Sequence, residues 1–209
     1  MFYVIMFSLV WVAFRVVFMF KTEGYQYIYD YKSNKRPYII CANHLNVLDP
    51  IFVVIARGTG SMLSIMGKAE LFKNPIFAWM FYHVGVFPVD RGTGDKTVIE
   101  KAISDVKNGR GMLIFPEGTR GHSDEMLKLK SGALMIAAQT GADIIPCRII
   151  YPTKTKLLRP FGRVVVKFGQ PLTIEQTQLD KGSKEQLRQV KAMLGVAFDG
   201  LLEEYYEHH

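Results

Sequence analysis

Residues 38–50 read Tyr38-Ile39-Ile40-Cys41-Ala42-Asn43-His44-Leu45-Asn46-Val47-Leu48-Asp49-Pro50. The run Tyr38–Cys41 is short, continuous and apolar, as expected of a strand covered on both faces of a parallel sheet. Asp49-Pro50 has the form of a helix start, with Asp49 at the N-cap, Pro50 at N1 and a helix over Ile51–Arg57. Between strand and helix lie a histidine and a carboxylate, His44 and Asp49. A histidine takes up a proton near neutral pH, and a neighbouring carboxylate fixes its tautomer and raises its basicity. The pair therefore suggests a general base. Pro50 disfavours α geometry at Asp49, so residues 44–49 are expected to form a turn. On a regular helix the same spacing, about 500°, would set the two side chains on different faces. The plainer alternatives are a core histidine and a simple N-cap worth about 1 kcal/mol.

Working outward, the pattern alternates strands and helices. Tyr25–Tyr31 alternates weakly and reads as an edge strand, followed by the basic turn Lys32–Pro37. Gly58–Gly60 ends the first helix, and Met62–Met66 reads as a second buried strand. Lys68–Val84 is a helical or broken helical stretch rich in aromatic residues, kinked or restarted at Pro75. Gly85–Val89 is a strand, Lys96–Asn108 a helix with apolar residues at helical spacing, and Met112–Phe115 another strand. Ser131–Thr140 reads as a helix stopped at Gly141, Ile144–Tyr151 and Arg163–Phe168 as strands, and Lys184–Tyr206 as a closing amphipathic helix. This order predicts an α/β domain with a largely parallel central sheet flanked by helices.

The first 20 residues carry one charge, Arg15. A helix of that length spans roughly 30 Å, the thickness of a bilayer's hydrocarbon core. Residues 1–20 are therefore expected to form a hydrophobic membrane-anchoring helix, and residues 21–209 the α/β domain. Arg15 would snorkel toward the interface beside Lys21, and the domain would lie on the cytoplasmic side of the cell membrane. Ser8 and Arg15 share a helical face, so a helix lying in the interface is the alternative to a spanning one, with a core helix of a soluble domain as a third reading. The net charge of +7 favours an anionic partner: nucleic acid, an acidic lipid surface or a phosphorylated substrate. Cys41 and Cys147 both fall in apolar runs, which points to buried thiols in a reducing compartment without disulfides. Cys41, three residues before His44, also has to be weighed as a nucleophile.

In open α/β sheets ligands collect outside the carboxyl ends of the strands. Three loops leave such ends: His44–Asp49, Asp90-Arg91 and Glu117–Arg120. A base, a carboxylate and two guanidinium groups would share that crevice, and the arginine fork suits phosphate. Arg91 and Arg120 as solvated surface arginines, Glu117 as a partner of one of them, and His83 as a packing residue are the structural alternatives; His122 stays ambiguous. There is no G-x-S-x-G elbow, P-loop, dinucleotide fingerprint, H-E-x-x-H or paired C-x-x-C. Basic residues do not interleave with aromatics as in a nucleic-acid platform. Direct transfer without cofactor or metal is the chemistry left.

Taken together, these motifs resemble the glycerolipid acyltransferases, most closely the bacterial 1-acyl-glycerol-3-phosphate acyltransferases. His44 and Asp49 match an H-x4-D motif, Gly85–Arg91 a second block, Phe115–Arg120 an F-P-E-G-T-R block, Ile144–Pro146 a short fourth, and Lys130-Ser131-Gly132 a lysine–glycine step. Asn46, Pro88 and Gly121 depart from the family's usual residues. The resemblance implies that His44, oriented by Asp49, accepts the proton of an acceptor hydroxyl as it attacks an acyl thioester on coenzyme A or acyl carrier protein. It implies that Arg91 and Arg120 hold the phosphate of lyso-phosphatidic acid, with Glu117, Gly118 and Thr119 in the same substrate-binding block and Lys68 as a further phosphate contact. It implies no cofactor, no metal, no nucleic acid, and an anionic membrane surface as partner.

Overall fold

All five residues of Tyr38–Ala42 are buried, and alternate side chains serve two different cores. The computed structural model that shows this describes residues 2–90, 96–121, 123, 125, 127–152, 162–173 and 184–208. In chain order the elements are α1 (Phe2–Val17), β1 (Met19–Glu23), α2 (Gln26–Ser33), β2 (Tyr38–Ala42), α3 (Asp49–Arg57) and β3 (Ser64–Lys68). A 3-10 turn (Ala69–Phe72), α4 (Pro75–His83), β4 (Val86–Val89), α5 (Lys96–Lys107) and β5 (Met112–Ile114) follow. The chain then runs through α6 (Gly132–Thr140), β6 (Asp143–Ile150), β7 (Arg163–Phe168) and α7 (Lys184–Glu207).

The strands form one seven-stranded sheet in the order β1-β7-β6-β2-β5-β3-β4. Every pairing is parallel except β6 with β7. The largely parallel sheet flanked by helices is thus as expected. Tyr38, Ile40 and Ala42 face a core built with Ile28 of α2 and Phe52 and Val53 of α3. Ile39 and Cys41 face a second core with Ala102 and Val106 of α5, Leu134 and Ile136 of α6, and Leu194 and Phe198 of α7. Burial on both sides explains why β2 reads as an unbroken apolar run. Pro88 sits on the edge strand β4, where a missing N–H costs no ladder bond toward solvent.

Three sequence expectations are corrected. Tyr25–Tyr31 is not an edge strand: it falls largely within α2, which buries Ile28 and Tyr31, three residues apart, and leaves Tyr25, Tyr27 and Tyr29 exposed. Its period-2 pattern was one of tyrosines, not of burial. The edge strand is β1 instead, paired in parallel with Arg163–Lys167.

The apolar N-terminus also ends earlier than expected. α1 has 16 residues, about 24 Å, and no described helix is long and apolar enough to cross a membrane. Phe18 and Phe20 are buried, and the rings of Phe14, Phe18 and Phe20 surround Phe52 at 5.1, 5.3 and 5.8 Å. Arg15 turns back onto the protein, lying over the rings of Trp11 and Phe20. Leu9, Val12 and Val16, at helical spacing, are exposed.

The third correction concerns Asp49. It is the first residue of α3, with Leu48 before it in the cap position and no side-chain cap bond. Its carboxylate points backward into the turn. The stretch after Lys68 is broken as expected, with Asn74 capping α4 through its side chain and Pro75 restarting the helix.

Candidate active site

β2, β3, β4, β5 and β6 run parallel, so their carboxyl ends share one edge of the sheet. The turn 43–48 leaves β2 there. Its first residue, Asn43, is 2% exposed and continues the strand with its side chain: Oδ1 accepts from Ile149 N at 2.7 Å and Nδ2 donates to Ile149 O at 3.1 Å. An amide side chain thus replaces a backbone rung and holds the turn to β6.

The turn closes on Asp49. Its Oδ2 accepts from Leu45 N at 2.6 Å, from Asn46 N at 2.7 Å and from the His44 ring, Nδ1 to Oδ2, at 2.9 Å. Asn46 supports the same turn, its Oδ1 accepting from Leu48 N at 3.1 Å. The Asp49 side chain is 0% exposed and the His44 side chain 13%. The carboxylate oxygen as acceptor places the proton on Nδ1 and leaves Nε2 with a lone pair. The imidazole stacks on Phe115, centroids 4.2 Å apart, which fixes its plane.

The loop after β5 is bound to this turn. Glu117 Oε1 accepts from His44 N at 3.2 Å, and Gly121 N donates to His44 O at 2.7 Å. Glu117 is buried, and burial raises its carboxyl above the ordinary 4.5 against the pull of the His44 and Leu127 amides and the Arg148 charge. Gly118 has φ of 72°, and a Cβ there would lie 2.5 Å from Lys130 Nζ. The glycine is what lets the Lys130 side chain cross the loop. Thr119 and Arg120 project to solvent beyond it, and Arg120 has no ion-pair partner among the described residues.

The structure therefore brings His44, Asp49 and Glu117 together by direct hydrogen bonds, with Gly118, Thr119 and Arg120 on the same loop. Lys68 ends β3 on the same edge but is paired with Glu70 at 2.9 Å. Arg91 and His122 lie outside the described residues. His83 bonds the Trp79 carbonyl within α4 and stacks on that ring, a packing role. Cys41 faces the core opposite α3, and burial pushes its thiol up to about 12, so it is no nucleophile at neutral pH. Among the described residues no cluster of His, Cys, Asp or Glu has the form of a metal site.

Three residues at this edge escape a reading of the sequence. The Tyr151 hydroxyl donates to Asp49 Oδ1, Arg148 lies 1% exposed within reach of Glu117's field, and Asn43 splices the turn to β6. Each interrupts an apolar run at a strand's carboxyl end with a polar group, which is the one signal they leave in the sequence.

Comparison with known proteins fits this geometry to a family. A family model described as Acyltransferase matches residues 20–150, which contain the base turn, the Glu117 loop and most of the sheet. The chain belongs to the acyltransferase family. A curated relative named 1-acyl-sn-glycerol-3-phosphate acyltransferase, from Streptococcus pneumoniae, is 32% identical over 173 residues, 82% of this chain and 63% of that protein. The chain thus spans less than two thirds of that relative's length. A lyso-ornithine lipid O-acyltransferase from Pseudomonas aeruginosa is 31% identical over 122 residues, 57% of this chain and 45% of that protein. The crystal structure of a 1-acyl-sn-glycerophosphate acyltransferase from Thermotoga maritima superposes with a TM-score of 0.67 at 24% identity, covering 94% of this chain and 79% of that one. This last likeness is one of fold. It extends the acyltransferase architecture over nearly all of the chain.

Proposed function

We propose that the protein transfers a fatty acyl group from an acyl thioester, carried by coenzyme A or acyl carrier protein, to the sn-2 hydroxyl of 1-acyl-glycerol-3-phosphate, giving phosphatidic acid. The observation that carries the reading is the His44 imidazole held through Nδ1 by a fully buried carboxylate, with Nε2 left as a base. Nε2 takes the hydroxyl proton as the oxygen attacks the thioester carbon. The tetrahedral adduct collapses with loss of the thiolate, and the imidazolium returns its proton to that sulfur. General-base help of this kind contributes about 10²–10⁴-fold, so positioning has to supply much of the rest. Arg120 and Arg91 hold the acceptor's phosphate, and the Glu117 loop keeps Arg120 in register with His44. No cofactor or metal enters these steps.

α1 attaches the enzyme to an anionic membrane surface by lying in the interface. Its inner face is committed to the core through Phe14, and its outer face offers Leu9, Val12 and Val16 to the acyl region. The catalytic domain then meets its lipid acceptor from the cytoplasmic side. A second acceptor class, lyso-ornithine lipid, is favoured by the Pseudomonas aeruginosa relative. Purified protein assayed with lyso-phosphatidic acid or lyso-ornithine lipid, and with labelled acyl-coenzyme A or acyl carrier protein, tests all of these. Labelled phosphatidic acid is the expected product. Exclusive acylation of lyso-ornithine lipid would transfer the assignment to that acceptor, and thioester hydrolysis without acyl transfer would end it.

A further inference from the structure

Asp49 has two oxygens, and they are held differently. Oδ2 takes the His44 ring, Leu45 N and Asn46 N, all from its own turn. Oδ1 takes the hydroxyl of Tyr151, which comes from the carboxyl end of β6, 102 residues away. A carboxylate that is 0% exposed needs a donor on each oxygen, and without Tyr151 its Oδ1 would be bare.

We propose that Tyr151 is a positioning residue of the acyl-transfer site, its hydroxyl pairing the buried Oδ1 of Asp49 and keeping that carboxylate turned toward His44. The inference rests on the reading of His44 as the base. Tyr151 is 6% exposed, and its ring packs edge-on against Phe52, 6.3 Å between centroids, so the hydroxyl has no room to swing away. Burial, and then the charge of Asp49, push loss of the phenol proton far above the ordinary range, so Tyr151 stays a donor at every working pH. The other titratable groups facing Asp49 are the His44 ring and the Cys147 thiol, and burial keeps that thiol protonated. Neither supplies Oδ1 with a replacement donor. Without the phenol, the carboxylate lacks its Oδ1 donor, and its charge binds a protonated imidazole more tightly. As pH falls, His44 then stops acting as a base at a higher pH than before.

The test is the pH profile of kcat/KM for acyl transfer to lyso-phosphatidic acid by full-length Tyr151→Phe, from about pH 5 to about pH 9, beside a thermal melt. The acid limb is expected to move up by about one pH unit or more, with the acceptor KM unchanged on the plateau. A ring-fluorinated tyrosine at position 151, a stronger donor of nearly the same size, is expected to move the limb down. Adding Tyr151→Phe to Asp49→Asn is expected to cost no further activity, because both changes act through one carboxylate. A folded, active Tyr151→Phe with an unmoved acid limb overturns the inference and leaves acyl transfer standing. Should Tyr151→Phe not fold, an unmoved limb in the fluorinated protein overturns it equally. Wild-type protein that transfers no acyl group overturns the underlying reading, and this inference with it.

Discussion

The Nδ1 atom of His44 lies 2.9 Å from Oδ2 of Asp49, and the two residues are joined by a turn whose own amides bond the same oxygen. Imidazole orientation and turn conformation are therefore set by one atom. Asp49→Asn keeps the shape and removes the charge. Activity is expected to fall about 10²–10⁴-fold, as is that of His44→Ala, while both variants keep a cooperative melt. Steady-state rates with a labelled acyl donor decide the point: His44→Ala at wild-type speed would remove His44 from the mechanism, and Asp49→Asn at wild-type speed would remove the carboxylate's part in it.

Asn43→Ala is expected to destabilise the protein by about 2–3 kcal/mol. It strands a buried N–H and a buried carbonyl of Ile149, whose present bonds are 2.7 and 3.1 Å. Chemical denaturation measures the loss. A cost below about 0.5 kcal/mol would mean that water or a shifted strand satisfies Ile149 instead.

Gly118→Ala is expected to weaken binding of the phosphorylated acceptor more than it slows turnover. The φ of 72° strains an alanine by about 1–2 kcal/mol, and the new methyl would displace the Lys130 side chain from 2.5 Å. The comparison is of KM against kcat. An unchanged KM would show that the backbone turn at Gly118 does not govern acceptor binding.

Glu117 leaves a signature in the pH dependence of stability. Burial raises its carboxyl above 4.5, so the folded protein keeps a proton that the unfolded chain has released. The native state then binds more protons than the unfolded one, and this group's contribution falls as pH rises through the window just above 4.5. Glu117→Gln removes that slope while keeping an acceptor for His44 N. Unfolding free energies measured through the window are expected to favour the variant increasingly as pH rises. Parallel curves would show that Glu117 titrates alike in both states.

Replacing Leu9, Val12 and Val16 together by glutamine is expected to reduce sedimentation with phosphatidylglycerol vesicles and leave the melt unchanged, because all three are exposed in the folded protein. Equal sedimentation would move the lipid contact elsewhere on the surface.

His44 and Asp49 could be paired from the chain alone because a single turn holds both, and the buried parallel strands were legible because burial on two faces leaves an uninterrupted apolar run. What escaped depends on distant partners. Tyr151 finds Asp49 across 102 residues and Asn43 finds Ile149 across 106. The strand Met19–Glu23 was hidden because it straddles the end of the apolar N-terminal run at Phe20, and the partner that makes it a strand begins at Arg163. The tyrosines of 25–31 mimicked a strand because alternation of aromatic rings, unlike alternation of burial, carries no information about a face.

Ile149 and Tyr151 are next-but-one neighbours on β6 and the segment that ends it, and one anchors Asn43 while the other touches Asp49. Both ends of the proton-accepting turn are thus referenced to a single rod in the middle of the sheet. Phe52, three residues after Asp49 on α3, packs against Phe14 of α1 and against Tyr151, so α1 is tied to that rod through one aromatic cluster. A shift of α1 would therefore reach the Asp49 carboxylate by way of the Phe52 ring.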